Sequence, residues 1–257
     1  MARLANKVAL VTGGTDGIGF VVAENMLREG VHAVVITGRN RERGMNACKQ
    51  LGKRVLYLEQ DVTDEAQWNE ILNRIFTEFQ HLDVLINNAG YAGTDDLQNP
   101  EELTLSEWRR IMAVNLDGVF LGCRAAIAVM KTGLGGSIVN ISSTAGMLAT
   151  PTFVAYGAAK AGVAHLSKSV AIYCARKGYK VRCNSVHPSL INTSLSTQIL
   201  HYYGGDLASA REGYIARVPL GKLGTPQDVA SAVIYLASDE SQYVTGAQLV
   251  VGGGIGV

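Results

Sequence analysis

Tyr156 and Lys160 stand four residues apart in the run AYGAAKAG, which reads as the first turns of a helix. Side chains at i and i+4 share one helix face, with Cβ atoms about 5–6 Å apart. A cation at that distance favours phenolate and lowers a tyrosine pKa from its ordinary value of about 10. Such a tyrosine accepts a proton from an alcohol, or gives one to a ketone, near neutral pH. Upstream, Ser143 ends the apolar run SIVNISS. A hydroxyl there could hold a substrate oxygen beside the phenol. A Y-x-x-x-K pair alone is common; the serine at a strand end makes the combination specific.

Positioning these groups requires a scaffold, and the apolar pattern supplies one. Short, nearly continuous apolar runs fall at Val8–Val11, Ala33–Ile36, Val55–Leu58, Val84–Ile86, Ser137–Ile141, Val181–Val186 and Gln248–Val251. Strands without in/out alternation are buried on both faces, as in a parallel sheet covered by helices. Helical patterns lie between them at Ile18–Arg28, Arg41–Leu51, Glu65–Phe79, Ser106–Lys131, Ala155–Lys177 and Pro226–Leu236. The alternation predicts a single-domain α/β fold over residues 1–257: a Rossmann-like, doubly wound parallel sheet of seven strands with helices on both faces. In such folds ligands bind at the carboxyl ends of the strands. The segment 194–217 follows the sixth strand without leading directly into another. It carries His201, Tyr202, Tyr203 and then Gly204-Gly205. It is expected to form a small substrate lid hinged at the two glycines.

The first strand runs into TGGTDGIG, Thr12 to Gly19. Gly13, Gly17 and Gly19 give G-x-x-x-G-x-G rather than G-x-G-x-x-G. The physics is the same: glycines let the backbone turn tightly, and a helix start presents N–H groups to a phosphate. Thr15 and Ile18 belong to this loop. The second strand ends Ile36-Thr37-Gly38-Arg39. NAD enzymes usually place an acid there for the ribose 2′-hydroxyl, whereas a guanidinium suits a 2′-phosphate. The absent acid and the present Arg39 favour NADP over the alternative, NAD. Asp16 points the other way, standing in the first loop where many phosphate-preferring relatives carry Lys or Arg.

Taken together these motifs resemble the short-chain dehydrogenase/reductase family, over essentially the whole chain. TGGTDGIG is similar to that family's cofactor motif. Asn87-Asn88-Ala89-Gly90 is similar to its NNAG motif, and Asp61-Val62 to its adenine-contacting pair. Asn115, Ser143, Tyr156 and Lys160 match its Asn-Ser-Tyr-Lys tetrad. The resemblance implies Tyr156 as acid/base and Ser143 as the group orienting the substrate oxygen. It implies Lys160 on the nicotinamide ribose, lowering the Tyr156 pKa, and Asn115 holding a proton-relaying water. Asn88, Ala89, Gly90, Pro188, Ile191 and Thr193 would meet the cofactor, Thr193 at the carboxamide. Two places depart from the family: Pro188-Ser189 replaces the usual Pro-Gly, and Gly252-Gly253-Gly254 replaces Asp-Gly-Gly. Within the family, GCRAAIAVMK, ARKGYKVRCNSVHP and LASDESQYVTG are similar to bacterial hydroxysteroid dehydrogenases and reductases of bulky secondary alcohols.

Composition bounds the rest. The net charge is +1, with no basic excess for nucleic-acid binding. Ile111–Met130 is apolar but interrupted by Asn115, Asp117 and Arg124, against a membrane span. The four cysteines form no CxxC pair, the five histidines are scattered, and no metal spacing appears. The opening MARLANKVALVTGG has no leader pattern, so the cytoplasm is the expected compartment. Ala155–Ala175 and the second half of Ser106–Met130 are apolar on more than one face. With the family resemblance this implies a homotetramer. Gly157 and Gly162 would keep the tetrad helix slim where another surface packs. The expected activity is reversible hydride transfer between the cofactor and a hydrophobic ketone or secondary alcohol, bulky, cyclic or steroid-like. The alternatives are a catalytically silent nucleotide-binding scaffold or sensor, and a 3-ketoacyl-thioester reductase. The Gly-rich tail, 252–256, has no assigned role.

Overall fold

The computed structural model describes residues 2–93, 98–201 and 206–256. Seven strands form one all-parallel sheet: β1 (Val8–Thr12), β2 (Ala33–Gly38), β3 (Val55–Glu59), β4 (Val84–Asn87), β5 (Gly136–Ile141), β6 (Val181–Pro188) and β7 (Gln248–Val251). Their order is β3-β2-β1-β4-β5-β6-β7. The direction of winding reverses between β1 and β4, which opens a crevice there. The strands carry unbroken apolar runs because each face meets its own layer of helices. In β1, Ala9 and Val11 join one core with Val22, Met26, Val233 and Ile234. Val8 and Leu10 join the opposite core with Trp68, Ile75, Val119 and Val163.

The first core is roofed by α1 (Gly17–Arg28), α2 (Arg41–Leu51) and α9 (Pro226–Ala237). The second is roofed by α3 (Glu65–Phe79), α5 (Gly118–Met130) and α6 (Val154–Arg176). Helix starts carry the expected caps: Asp64 accepts from Ala66 and Gln67 N–H, and Thr225 forms a capping box with Asp228 ahead of Pro226.

The helix expected over Ser106–Lys131 is not continuous. α4 (Leu105–Met112) passes through a π-helical turn, Ala113–Asp117, into α5. The cause is Asn115, whose side chain inserts into the turn and donates to the Ile111 carbonyl at 2.9 Å. Leu105–Met130 is long and apolar enough to cross a membrane by length and composition. In the fold it covers the sheet, with Ile111, Val119, Cys123 and Met130 buried.

After β6 the chain forms α7 (Ser194–His201) and α8 (Leu207–Ile215). The expected hinge at Gly204-Gly205, with Tyr202 and Tyr203, lies outside the described residues. The glycine tail folds back on the body. Gly253 O accepts from Leu220 N at 3.0 Å, and a Cβ on Gly256 would stand 3.0 Å from Thr144 Cγ2.

Candidate active site

Parallel strands in register deliver their carboxyl ends to one edge of the sheet, and every candidate residue except Asn115 and the pair Tyr156–Lys160 sits at such an end or in the loop and first helical turn that follow it. β1 opens into the glycine loop. Gly13 and Gly17 have φ of +62° and +55°, a region L side chains rarely adopt. A Cβ on Gly19 would lie 2.4 Å from Asn88 Nδ2. Asn88 braces the loop, donating to the Thr12 carbonyl at 2.9 Å and the Gly13 carbonyl at 3.1 Å. The Thr12 hydroxyl in turn accepts from Asn88 and Ala89 N–H. The loop is thus held rigidly against the end of β4, with the start of α1 bare of side-chain bulk. N–H groups in a helix's first turn lack partners within the helix, so this start suits a diphosphate. One of them is already taken: Asp16 caps α1 through Gly17 N at 2.7 Å. Its other oxygen accepts from Ser194 Oγ at 3.0 Å, joining the loop to α7.

β5 ends at Ile141 and leads to Ser142-Ser143. The Ser143 hydroxyl accepts from Ala145 N at 3.1 Å, donates to the Pro188 carbonyl at 3.4 Å and stands beside the Tyr156 phenol. Tyr156 and Lys160 lie one turn apart in α6, with Lys160 Nζ 5.4 Å from the Tyr156 ring centroid. Nζ donates to the Ile141 carbonyl at 2.9 Å, and Ser142 Oγ donates to the Lys160 carbonyl at 2.8 Å. Helix and strand end are therefore bonded in both directions.

Burial pushes the Tyr156 phenol up to about 12, against the Ser143 hydroxyl, which pulls it down. Burial likewise pushes the Lys160 ammonium down to about 8. Desolvation favours the neutral form of both groups, a cause that spacing along a helix does not report.

Gly13, Gly17, Ile18, Asn88, Ala89, Gly90, Ser143, Tyr156, Lys160, Pro188, Ile191 and Thr193 border a single cleft of about 390 Å³. Thr15, Gly19, Arg39, Asp61, Val62 and Asn115 do not. Thr15 packs beside Gly38, where a Cβ would meet its Cγ2 at 3.1 Å, and Arg39 follows, exposed. Asp61 accepts from Thr63 N and Oγ1 at the end of β3, and the Val62 carbonyl accepts from Trp68 Nε1. These residues continue the same sheet edge beyond the cleft. Asn115, fully buried, accepts from Tyr91 N at 3.2 Å and donates to the Tyr91 carbonyl at 2.7 Å. It reaches the site across Gly90, where a Cβ would lie 3.3 Å from its Oδ1 and 3.9 Å from Lys160 Nζ.

Ile199 and Tyr214, from the expected lid segment, border the cleft, whereas sequence reasoning missed the rest of its apolar wall: Leu148, Phe153, Leu190 and Ile255. Ile255 carried a signal, as the single large side chain in a run of glycines. Gly157 and Gly162 have an explanation within the chain. A Cβ on Gly157 would meet Thr150 Oγ1 at 2.3 Å, and one on Gly162 would meet Leu116 Cδ2 at 2.9 Å. Both make room for this chain's own loop and π turn.

The glycine loop fits a dinucleotide: Gly13 and Gly19 leave no room for a Cβ against Asn88 and Ala89, and the Tyr156 phenol borders the same cleft. A glycine-rich loop before a helix start, facing such a phenol, is the arrangement expected of dinucleotide-dependent oxidoreductases. The family described as "Enoyl-(Acyl carrier protein) reductase" matches residues 13–256. The chain is 44% identical to the NADP-dependent (R)-specific alcohol dehydrogenase of Lentilactobacillus kefiri, covering 98% of this chain and 97% of that one. It is 39% identical to the 3-alpha-(or 20-beta)-hydroxysteroid dehydrogenase of Mycobacterium tuberculosis, covering 98% and 90%. Among solved structures, ligand-free aldohexose dehydrogenase of Thermoplasma acidophilum superposes with a TM-score of 0.87 at 34% identity, covering 99% and 95%. The chain belongs to the short-chain dehydrogenase/reductase family and is an oxidoreductase.

Proposed function

We propose that this enzyme interconverts hydrophobic ketones and secondary alcohols with NADP(H) in preference to NAD(H), using Tyr156 as the proton carrier. The observation that carries the reading is the shared cleft: Tyr156, Ser143 and Lys160 border it together with the glycine loop and an apolar wall. Bound there, the nicotinamide supplies or accepts the hydride. The chain's residues do the rest. The Ser143 hydroxyl holds the substrate oxygen, and Tyr156 gives that oxygen its proton during reduction as the phenol and takes it back during oxidation as the phenolate. Lys160 and Asn115 hold the cofactor side of the site and the proton path. The end of β2 supports the cofactor preference, because Arg39 stands where no acid is available for a 2′-hydroxyl. The NADP-dependent relative supports it as well.

α7 and α8 serve as the lid, because Leu195, Ile199 and Tyr214 border the cleft from that side. The four cysteines are free, in keeping with a reducing cytoplasm. Phe120, Ile172 and Tyr173, all about half exposed on α5 and α6, supply the contact for a homotetramer. Light scattering should then give four times 27.4 kDa; a mass near 27.4 kDa would contradict it.

The test is NADPH consumption over 2-octanone, cyclohexanone, acetophenone and a 20-keto steroid. Turnover of the bulky members is expected. Cofactor binding without turnover of any member would favour a silent nucleotide-binding scaffold instead.

A further inference from the structure

His187 lies in β6, fully buried, and nothing in the proton transfer above uses it. Its ring bridges two groups. Nδ1 lies 3.3 Å from the Ser143 carbonyl oxygen, and Nε2 lies 2.8 Å from Ser185 Oγ. A carbonyl only accepts, so Nδ1 carries the proton. In a neutral ring Nε2 then has a lone pair, which takes the Ser185 hydroxyl proton. The other acceptor near Ser185 Oγ, the Ala247 carbonyl, is farther away at 3.5 Å. The ring is neutral because burial pushes its pKa down, and the nearby charges of Lys160 and Lys168 act in the same direction. Tautomer and ring orientation are therefore both fixed.

The Ser143 hydroxyl accepts from Ala145 N and reaches the Pro188 carbonyl of β6 at a long 3.4 Å. Its backbone is extended, and Ser142 N donates to the Val186 carbonyl at 2.8 Å, the last backbone bond joining this segment to β6. Beyond it, the Ser143 carbonyl accepts from Gly146 N at 3.1 Å and from His187. The first bond lies within the turn and would travel with it. His187 is the side chain that anchors that turn to the sheet through this carbonyl.

We infer that His187 is a positioning residue for the reaction: its Nδ1–H bond to the Ser143 carbonyl, backed by Ser185 on the far nitrogen, aims the Ser143 hydroxyl at the substrate oxygen beside Tyr156. The inference rests on the proposed role of Ser143.

The test compares kcat, NADPH affinity and melting temperature across variants, using the fastest ketone of the panel above. His187→Phe keeps the ring bulk and removes both nitrogens; it should lower kcat about tenfold, the scale of one lost hydrogen bond, with NADPH affinity unchanged. His187→Asn restores a donor near the place of Nδ1 and should recover most of that loss, whereas His187→Gln, which reaches toward Ser185, should not. Ser185→Ala, which leaves the core volume nearly intact, should lower kcat about threefold and keeps the test open if His187→Phe does not fold. Full kcat in His187→Phe or Ser185→Ala, or equal losses in the Asn and Gln variants, would overturn the inference. Ser143→Ala separates the two readings. If it loses turnover while the His187 variants keep theirs, only this inference fails. If it turns over normally, the role of Ser143 fails and takes the inference with it.

Discussion

Lys160 Nζ donates to the Ile141 carbonyl at 2.9 Å, so the helix carrying Tyr156 is tied to the last residue of β5. The bond holds a charge in a buried place, and the charge has a stability cost. The Lys160 pKa is pushed down to about 8 from an ordinary 10.5. Between those values the unfolded chain binds more protons than the folded one, so stability climbs with pH across that window. Below about 8 the full cost of the buried charge applies. Lys160→Met should therefore raise the melting temperature at pH 7 by roughly 2–4 °C, even after losing the Ile141 bond. The gain should shrink as the pH rises through the window. Fluorimetric melts at pH 7 and 10 check this; a gain equal at both, or a loss at pH 7, would contradict it.

Asn115 makes three hydrogen bonds, two to the Tyr91 peptide and one to the Ile111 carbonyl, and is fully buried. Asn115→Leu would leave the Tyr91 peptide without these partners beside Gly90. A hydrogen bond contributes about 0.5–1.5 kcal/mol net, so losing all three should cost roughly 2–4 kcal/mol in urea melts. A melt like that of the unaltered chain would show that the π turn does not depend on this side chain.

Much of this was legible in the sequence, and the remainder has identifiable reasons for being hidden. The continuous apolar strands and their glycine-marked ends gave the sheet, because burial on two faces leaves no alternation to confuse with a helix. Tyr156, Lys160 and Ser143 were legible by type and spacing. The π turn was not: its cause is one side chain, Asn115, bonding a carbonyl four residues back, and the apolar pattern continues through it. The direction of the Tyr156 shift was also hidden, because it depends on burial beneath residues distant in sequence rather than on its helix neighbour. The apolar wall outside the lid segment escaped because Leu148, Phe153, Leu190 and Ile255 come from separate segments that only the fold brings together.

Arg39 is exposed beyond the end of β2, outside the cleft. If it meets a 2′-phosphate, Arg39→Ala should lower kcat/KM with NADPH about tenfold or more and leave NADH nearly untouched, since a hydrogen bond between charged groups is worth about 1.5–3 kcal/mol. Steady-state kinetics with both cofactors decide. Equal losses, or an NADH preference in the unaltered chain, would remove this role from Arg39.

The central claim is that Tyr156 moves the proton. Tyr156→Phe removes one oxygen from a buried site and keeps the ring. Ketone reduction by this variant, measured beside NADPH binding by fluorescence, should fall by about 10²–10⁴, the range expected for a lost general acid, while cofactor affinity stays within about twofold. Turnover at the level of the unaltered chain would contradict the account.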